Sequence, residues 1–143
     1  MRISTRGRYG LRFMLVLAAE YEQGVISLRE VAERESLPEK YLEQIVSCFI
    51  KAGLVDSLRG VRGGYRLARH PGGITVGDVL RLTEKVFPTA ACGRADAHCG
   101  HLESCVLVGV VEDIRDAVDR VMDRLTLEAL LGRFQQCSAS LAV

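Results

Sequence analysis

Three cysteines that lie close together are the residues of this 143-residue chain best suited to chemistry. Cys92, Cys99 and Cys105 are separated by six and then five residues, with glycines and histidines between them. Thiolates are preferred ligands of zinc and of iron–sulfur clusters. Three thiols within 14 residues can therefore converge on one metal ion or cluster. His98 or His101 could supply a fourth ligand, which would make a Cys₃His zinc site.

The alternative to a metal or cluster site is a set of three free or redox-active thiols. Because the cysteine spacing differs from that of the short pairs in zinc knuckles, spacing alone leaves iron–sulfur, zinc and bare thiols open. The two remaining cysteines are interpreted differently. Cys48 lies next to Phe49 in an apolar helical pattern and is predicted to be a small buried residue. Cys137, near the end of the sequence, is predicted to take no part in the site.

The composition excludes several classes of protein. Apolar residues make up 48% and charged residues 26% of the chain, which is the balance of a globular domain. Five cysteines are too few for a disulfide framework, and their number is odd, so we expect a reducing compartment. No apolar run approaches about 18 residues, and the N-terminal residues lack the apolar stretch of a signal peptide. We therefore expect a cytoplasmic protein that does not enter a membrane.

The net charge of +1 conceals an uneven distribution. Residues 1–70 carry 12 basic and 8 acidic residues, a net charge of +4, whereas residues 71–143 carry 7 basic and 10 acidic residues, a net charge of −3. Sixteen of the 19 basic residues are arginines, whose guanidinium groups suit phosphates and guanine edges. A GC-rich genome would also favour arginine codons, but it would not concentrate the positive charge in the first half. The first half is therefore the candidate for binding nucleic acid.

Apolar periodicity and capping residues predict the elements that must position these side chains. The first helix is expected over residues 8–22, with Thr5 as its N-cap and Gly24 as its stop. The other predicted elements are a helix over residues 28–35, a helix capped by Ser36 that runs from Pro38 to Ala52, a hairpin of residues 54–55 and 65–67, a helix over residues 76–84, a loop over residues 86–104, a long helix over residues 104–124, and a short helix over residues 127–135. Helices joined by a short turn and followed by a hairpin form a winged helix-turn-helix. The predicted fold is therefore mainly α with a small β-wing.

The second helix of this helix-turn-helix is the candidate recognition helix, and residues near its start are expected to contact DNA. Lys40 suits a phosphate or a guanine edge, and Tyr41 lies beside it. Glu43 could accept a hydrogen bond from a cytosine amino group, and Gln44 could pair with an adenine edge. The alternative interpretation is a small packing module whose polar residues form a solvated face.

The turn of the predicted wing is rich in arginine and glycine. Arg59 and Arg62 lie among three glycines, which allow the backbone to approach a partner closely. An arginine at such a tip suits the narrow minor groove of DNA. The wing is therefore expected to contact double-stranded DNA beside the recognition helix.

The long predicted helix has its own apolar pattern. Its apolar residues form a near-heptad stripe of Leu107, Val110, Val111, Ile114, Val118, Val121 and Leu125. At about 1.5 Å per residue the helix would be roughly 30 Å long, which exceeds what covering so small a core needs. A self-complementary stripe favours a two-fold homodimer, which would place two recognition helices about one DNA turn apart on a pseudo-palindrome. The alternative is a monomer whose stripe covers the N-terminal half.

Taken in order, these motifs resemble the winged-helix iron–sulfur transcriptional regulators typified by IscR, NsrR and CymR, over roughly residues 1–135. The segments that carry the resemblance are MRIS at residues 1–4, RGRY at 6–9, YLEQ at 41–44, GLV at 53–55, RG at 59–60 with GGY at 63–65, TVGDV at 75–79, and the three cysteines before a long helix. The resemblance implies a homodimeric regulator whose cysteine segment holds an iron–sulfur cluster. It also implies that Glu43 lies at the DNA interface and that Arg59 enters the minor groove.

The sequence departs from the family's pattern at the fourth cluster ligand. Val108 stands where one branch has a histidine three residues after the last cysteine, and Arg8 lies near the place where another branch supplies an acidic ligand from the partner's first helix. Because valine and arginine do not bind iron, the remaining candidates are His98, His101, Glu103, a small thiol or water. An open iron site favours a sensor over a structural cluster. The cluster type, 2Fe–2S or 4Fe–4S, stays open.

We therefore expect a homodimeric, DNA-binding transcription regulator that senses iron–sulfur status or oxidative or nitrosative stress. Residues 1–84 are predicted to form the winged domain, residues 85–104 the cluster-binding loop, and residues 105–135 the dimerisation helix with a short terminal helix. The alternative is a DNA-binding regulator that uses the same loop as a zinc site or a bare thiol switch. An enzyme is not expected, because the sequence carries no nucleophile–base pair or phosphate-binding loop.

Overall fold

Helix α1 begins at a serine cap at the start of the chain. The computed structural model describes residues 3–84 and 106–133, and α1 spans Thr5–Ala19. The Ser4 Oγ accepts a hydrogen bond from the Gly7 N–H at 3.1 Å, which satisfies one of the free donors in the first turn. Ser4 is therefore the N-cap, instead of the adjacent threonine that the sequence pattern predicted.

The end of α1 also differs from the prediction. The helix ends at Ala19 and not near Gly24, because the Tyr21 N–H bonds to the carbonyl of Ala18, three residues back, and leaves the α-helical ladder. The Tyr21 ring then packs edge-on against His70, with ring centroids 5.4 Å apart. This tertiary contact accompanies the early end of the helix.

Helices α2 (Leu28–Glu35) and α3 (Glu39–Lys51) form the helix-turn-helix. Ser27 caps α2 as predicted, by accepting from the N–H at the third helical position. Ser36 takes a left-handed conformation with φ of 52° and closes the end of α2, so the prediction that it caps α3 is wrong. Pro38 occupies the N-cap position of α3, where its missing N–H costs nothing.

The wing is an antiparallel hairpin of β1 (Val55–Leu58) and β2 (Gly64–Leu67). Its base is buried where Val55 pairs with Leu67, and the residues nearer the tip are exposed or half-buried. A short bridge between Ile26 and Tyr65, with N···O distances of 3.0 and 2.8 Å, ties the hairpin to the segment before α2. The wing is thereby fixed relative to the helix-turn-helix.

One apolar core joins these elements. Phe13 of α1 stacks on Phe49 of α3 with centroids 6.3 Å apart, and its ring edge meets Tyr65 of the wing. The largest side chains that are almost fully buried are Phe13, Phe49, Met14, Leu17, Leu42, Ile45, Ile74, Leu80, Leu127, Val31, Val46 and Val55. Their burial fixes α3 on α1, so that the opposite face of α3 points outward.

Helix α4 (Val76–Thr83) begins at the capping box that its sequence pattern predicts. The Thr75 Oγ1 accepts from the Asp78 N–H, and the Asp78 carboxylate accepts from the Thr75 N–H, both at 3.0 Å. The first turn of α4 is therefore fixed next to α1, against which its buried face packs.

Helices α5 (Val106–Arg124) and α6 (residues 127–133) complete the described chain. Thr126 caps α6, as predicted, by accepting from the Ala129 N–H at 3.1 Å. None of the described helices is long and apolar enough to cross a membrane. The mainly helical fold with a small antiparallel wing confirms the predicted fold class. The predicted division into three segments stays a prediction.

Candidate nucleic-acid interface

The outer face of α3 carries the residues that the sequence nominated for base contacts. Leu42, Ile45, Val46 and Phe49 are buried in the core, and this spacing turns the intervening positions outward. The exposed residues on that outer face are Lys40, Glu43, Gln44 and Ser47. A recognition helix needs this arrangement, in which the apolar face packs into the core and the polar face is exposed.

Tyr41 differs from its neighbours because it is only half-exposed. Its ring packs edge-on against Tyr9 of α1, with centroids 5.7 Å apart and an interplanar angle of 89°. The start of α3 is thereby held against α1. Its role in DNA contact stays a prediction, and its packing role was not evident from the sequence.

The wing tip carries Arg59 and Arg62 in exposed positions, as the sequence pattern predicted. Gly60 has a φ of +122°, which an L side chain rarely adopts, and its carbonyl accepts from the Gly63 N–H at 2.9 Å. A Cβ at Gly63 would overlap the Leu58 carbonyl oxygen. These two glycines therefore shape the tight turn that presents both arginines.

Ion pairs neutralise three arginines of α1 and α2. Arg12 pairs with Glu35 at 2.6 Å, Arg34 pairs with Glu20 at 2.6 Å, and Arg29 pairs with its neighbour one turn along α2 at 2.9 Å. The hydrogen bond that Arg34 donates to the Glu20 carboxylate raises the pKa of Arg34 above its ordinary value. These arginines are already neutralised by carboxylates of the same chain.

The basic residues of α3 and the wing tip behave differently. Within residues 3–84 and 106–133, no carboxylate lies within 4 Å of the charged groups of Lys40, Arg59 or Arg62. Exposed cations without internal partners are available to neutralise phosphates of a bound nucleic acid. The outer face of α3 and the wing tip are therefore the candidate interface.

Two long-range contacts hold the last residues of the predicted winged domain, one against the start of α1 and one against α5. The Ser4 N–H donates to the Glu84 Oε1 at 2.9 Å, across 80 positions of sequence. Arg81 of α4 donates to Asp123 at 2.7 Å and to Asp119 at 3.1 Å, both on α5. The hydrogen bond from Arg81 lowers the pKa of Asp123. Sequence spacing gave no signal for either contact.

The predicted metal ligands lie outside the described residues. This holds for Cys92, Cys99 and Cys105 and for the candidate fourth ligands His98, His101 and Glu103, as well as for Cys137. Within the described ranges, no group of three His, Cys, Asp or Glu residues could hold a metal ion. Cys48 is half-buried, and its Sγ donates to the Ile45 carbonyl at 2.7 Å.

Helix α5 exposes an apolar stripe on the side away from α4. Val118 and Met122 pack against α4, so this apolar face of α5 is covered by its own chain. The exposed stripe consists of Leu107 (60%), Val110 (48%), Ile114 (51%) and Val121 (58%). These residues follow the 3- and 4-residue spacing of a helical seam, so the stripe is a candidate surface for a second copy.

Comparisons with known proteins agree with this geometry. Residues 3–133 match the Rrf2 family, which is described as an iron-dependent transcriptional regulator. The HTH-type transcriptional regulator CymR of Bacillus subtilis (strain 168) is 43% identical over 131 residues, which cover 91% of this chain and 89% of CymR. The HTH-type transcriptional regulator IscR of Enterobacter sp. (strain 638) is 32% identical over 132 residues, which cover 92% of this chain and 80% of IscR.

Solved structures of an IscR and a CymR protein also resemble this chain. The structure of T. potens IscR has a TM-score of 0.79 to this chain at 36% identity, and the match covers 96% of this chain and 90% of that chain. The structure of CymR from B. subtilis has a TM-score of 0.75 at 39% identity and covers 93% and 98% of the two chains.

Proposed function

Because this chain belongs to the Rrf2 family of DNA-binding transcriptional regulators, which are not enzymes, we propose that it is a homodimeric regulator whose DNA binding responds to an iron–sulfur cluster. The cluster is held by Cys92, Cys99 and Cys105. The DNA is double-stranded and carries a pseudo-palindromic operator. A protein that regulates bacterial transcription acts where the chromosome lies, in the cytoplasm.

The proposed DNA contacts follow from the exposed faces of α3 and the wing. Helix α3 enters the major groove, where Lys40 meets a phosphate or guanine, Glu43 accepts from cytosine and Gln44 contacts adenine. Tyr41 supports the start of this helix against α1. The wing arginines, Arg59 and Arg62, enter the adjacent minor groove. The observation that carries this part is the absence of internal carboxylate partners for these cations among the described residues.

The proposed dimer uses the apolar stripe of α5. The stripe side chains that are about half exposed would gain burial only against a partner, since their own chain covers the other face of the helix. A helix of 19 residues is about 28 Å long, and two such helices crossing on a two-fold axis bury identical stripes. Each copy then presents one winged domain to one operator half-site.

The proposed cluster site rests on the donor set of the cysteine segment and on the family. Three thiolates within 14 residues are the donor set that iron–sulfur clusters use. The fourth position is open to His98, His101 or Glu103 from the same segment. When bound, the cluster supplies iron that reacts with oxygen or nitric oxide. A zinc site or a bare thiol switch formed by the same three cysteines is the second candidate.

Coupling between the cluster and DNA is proposed to pass through both ends of the cysteine segment. Glu84 immediately precedes this segment and bonds to the first turn of α1 through Ser4. The segment leads into α5, which Arg81 holds against α4 through Asp119 and Asp123. Cluster binding that orders the segment therefore affects the positions of α1 and α5. Helix α5 in turn sets the separation of the two winged domains. A coupling of about 1–3 kcal/mol would change DNA affinity about 5- to 150-fold.

Anaerobic purification tests the cofactor directly. The proposal expects a coloured protein with a visible absorption band and with iron and acid-labile sulfide that copurify. Replacing Cys92, Cys99 or Cys105 with alanine should remove both, whereas the matched variants C48A and C137A should retain them. Stoichiometric zinc without colour would favour the second candidate, and a colourless protein free of metals would leave only the thiol switch.

A further inference from the structure

The apex of the wing carries an apolar side chain without any cover from the described chain. Val61 has a relative exposure of 108%, whereas every other large exposed apolar residue in the described ranges lies between 38% and 60%. It stands between Arg59, two positions earlier, and Arg62, the next residue. A valine in this position contributes nothing to the core, and a partner that covered it would gain the free energy of burying its side chain.

The turn holds this side chain away from the protein. The Gly63 N–H bonds back to the Gly60 carbonyl at 2.9 Å, which closes the loop on either side of Val61. Gly60 takes a positive φ of +122°, which an L side chain rarely adopts, and in this turn Val61 stays fully exposed. Valine is also stiff at χ1, because it is branched at Cβ. The apex is therefore an exposed apolar point flanked by two cations.

We infer that Val61 is a specificity determinant that contacts the floor of the minor groove and rejects base pairs carrying the guanine amino group. This inference rests on the proposed DNA-binding function. A·T pairs present only acceptors in the minor groove, whereas G·C pairs add the guanine N2 amino donor. A methyl group pressed against that amino group removes water from a donor and offers it no acceptor, which is costly.

The flanking arginines and the valine therefore read different features. Arg59 and Arg62 respond to the electrostatic potential of a narrow minor groove, and this potential varies with groove width. Val61 responds to one functional group at one base pair. An unsatisfied buried donor costs about 10-fold or more in affinity, which sets the size of the expected discrimination.

The test begins with duplexes selected from a random library by the wild-type dimer. Each A·T pair of the selected duplex is then replaced in turn by 2,6-diaminopurine·T, which adds the amino group to the minor groove and leaves the major-groove edge of the base pair unchanged. We expect about a 10-fold loss of affinity at the wing-contact pairs alone. Replacement by inosine·C, which lacks the amino group, should cost less than about 3-fold at the same pairs.

Val61→Thr is the decisive variant, because threonine keeps the size and the branching of valine and adds a hydroxyl that can accept from the amino group. V61T should bind the A·T and diaminopurine duplexes within about 3-fold of each other, and V61A should also lose most of the discrimination. Because Val61 is exposed, neither variant should change the melting temperature.

Two results would overturn the role of Val61. One is discrimination against the added amino group that V61T and V61A retain in full. The other is equal losses with inosine·C and diaminopurine·T, which would show that the minor-groove amino group is not the feature that the wing reads. Failure of the proposed function is distinguishable from both, because the wild-type protein would then enrich no duplex in the selection.

Discussion

Replacing Ile114 with aspartate tests the proposed dimer at the centre of the exposed stripe on α5. Ile114 is 51% exposed in the single chain, so a partner would bury about half of its side chain. Burying a whole isoleucine contributes about 1.5–3 kcal/mol, and the exposed half therefore contributes about 1 kcal/mol. A two-fold interface buries two copies, which brings the loss on substitution to about 2 kcal/mol before any charge repulsion.

A loss of about 2 kcal/mol raises the dissociation constant of the dimer about 30-fold, and two facing aspartates raise it further. Sedimentation velocity over a dilution series measures this constant for wild type and I114D. The matched control is Asp116→Asn, which lies on the opposite side of the same helix and should sediment as wild type. If I114D remained dimeric over the concentration range in which wild type does, the stripe would not be the dimer interface.

Three further predictions follow from the ion pairs and the unpaired cations. Replacing Arg59 or Arg62 with alanine should weaken binding to all duplexes and reduce the slope of log affinity against log salt by about 0.9 per lost phosphate charge; an unchanged slope would remove that arginine from the interface. Arg81→Ala should lower the melting temperature at neutral pH. Because Arg81 lowers the pKa of Asp123, the stability from that pair is present above the unfolded pKa of about 3.9. This stability is lost as the pH falls through the lower pKa of Asp123 in the folded state, so the difference in melting temperature from wild type should shrink in acid. A difference that stays constant over the whole acid range in which the protein remains folded would contradict this. Glu84→Ala should reduce the ratio of DNA affinities with and without the cluster, whereas Glu84→Gln, which keeps an acceptor for the start of α1, should preserve it; equal ratios in wild type and E84A would exclude the proposed route.

The parts of the fold that depend on neighbouring residues could be predicted from the sequence. The caps at Ser27, Thr75 and Thr126 and the hairpin turn all rest on contacts within a few positions of the chain. The errors occur where tertiary packing decides. Ser36 is the left-handed end of α2, where the Leu37 N–H bonds back to the Ala32 carbonyl at 2.9 Å and the Leu37 side chain is buried in the core. The first helix ended early, where Tyr21 meets His70.

The sequence was sufficient to predict which residues lie at the candidate interface. It was not sufficient to predict which of the basic residues form ion pairs within the chain. The helical pattern placed Glu43 and Gln44 on one exposed face, as the structure has them. It could not show which arginines are neutralised by carboxylates, because pairs such as Arg12–Glu35 and Arg81–Asp123 join positions 23 and 42 residues apart. Whether the three cysteines hold a cluster stays a prediction, since they lie outside the described residues.

The most direct test of the central claim is the DNA affinity of one preparation measured with and without its cluster. Anaerobic titration of a selected duplex with the cluster-loaded dimer, and with the same protein after the cluster is removed, gives the ratio of dissociation constants. We predict a ratio of about 5- to 150-fold on at least one class of selected duplex. Loss of this ratio in the variant lacking Cys92, with retention in C137A, would assign it to the cysteine segment. Affinities that do not depend on cluster occupancy, across several selected duplexes, would contradict the proposed function.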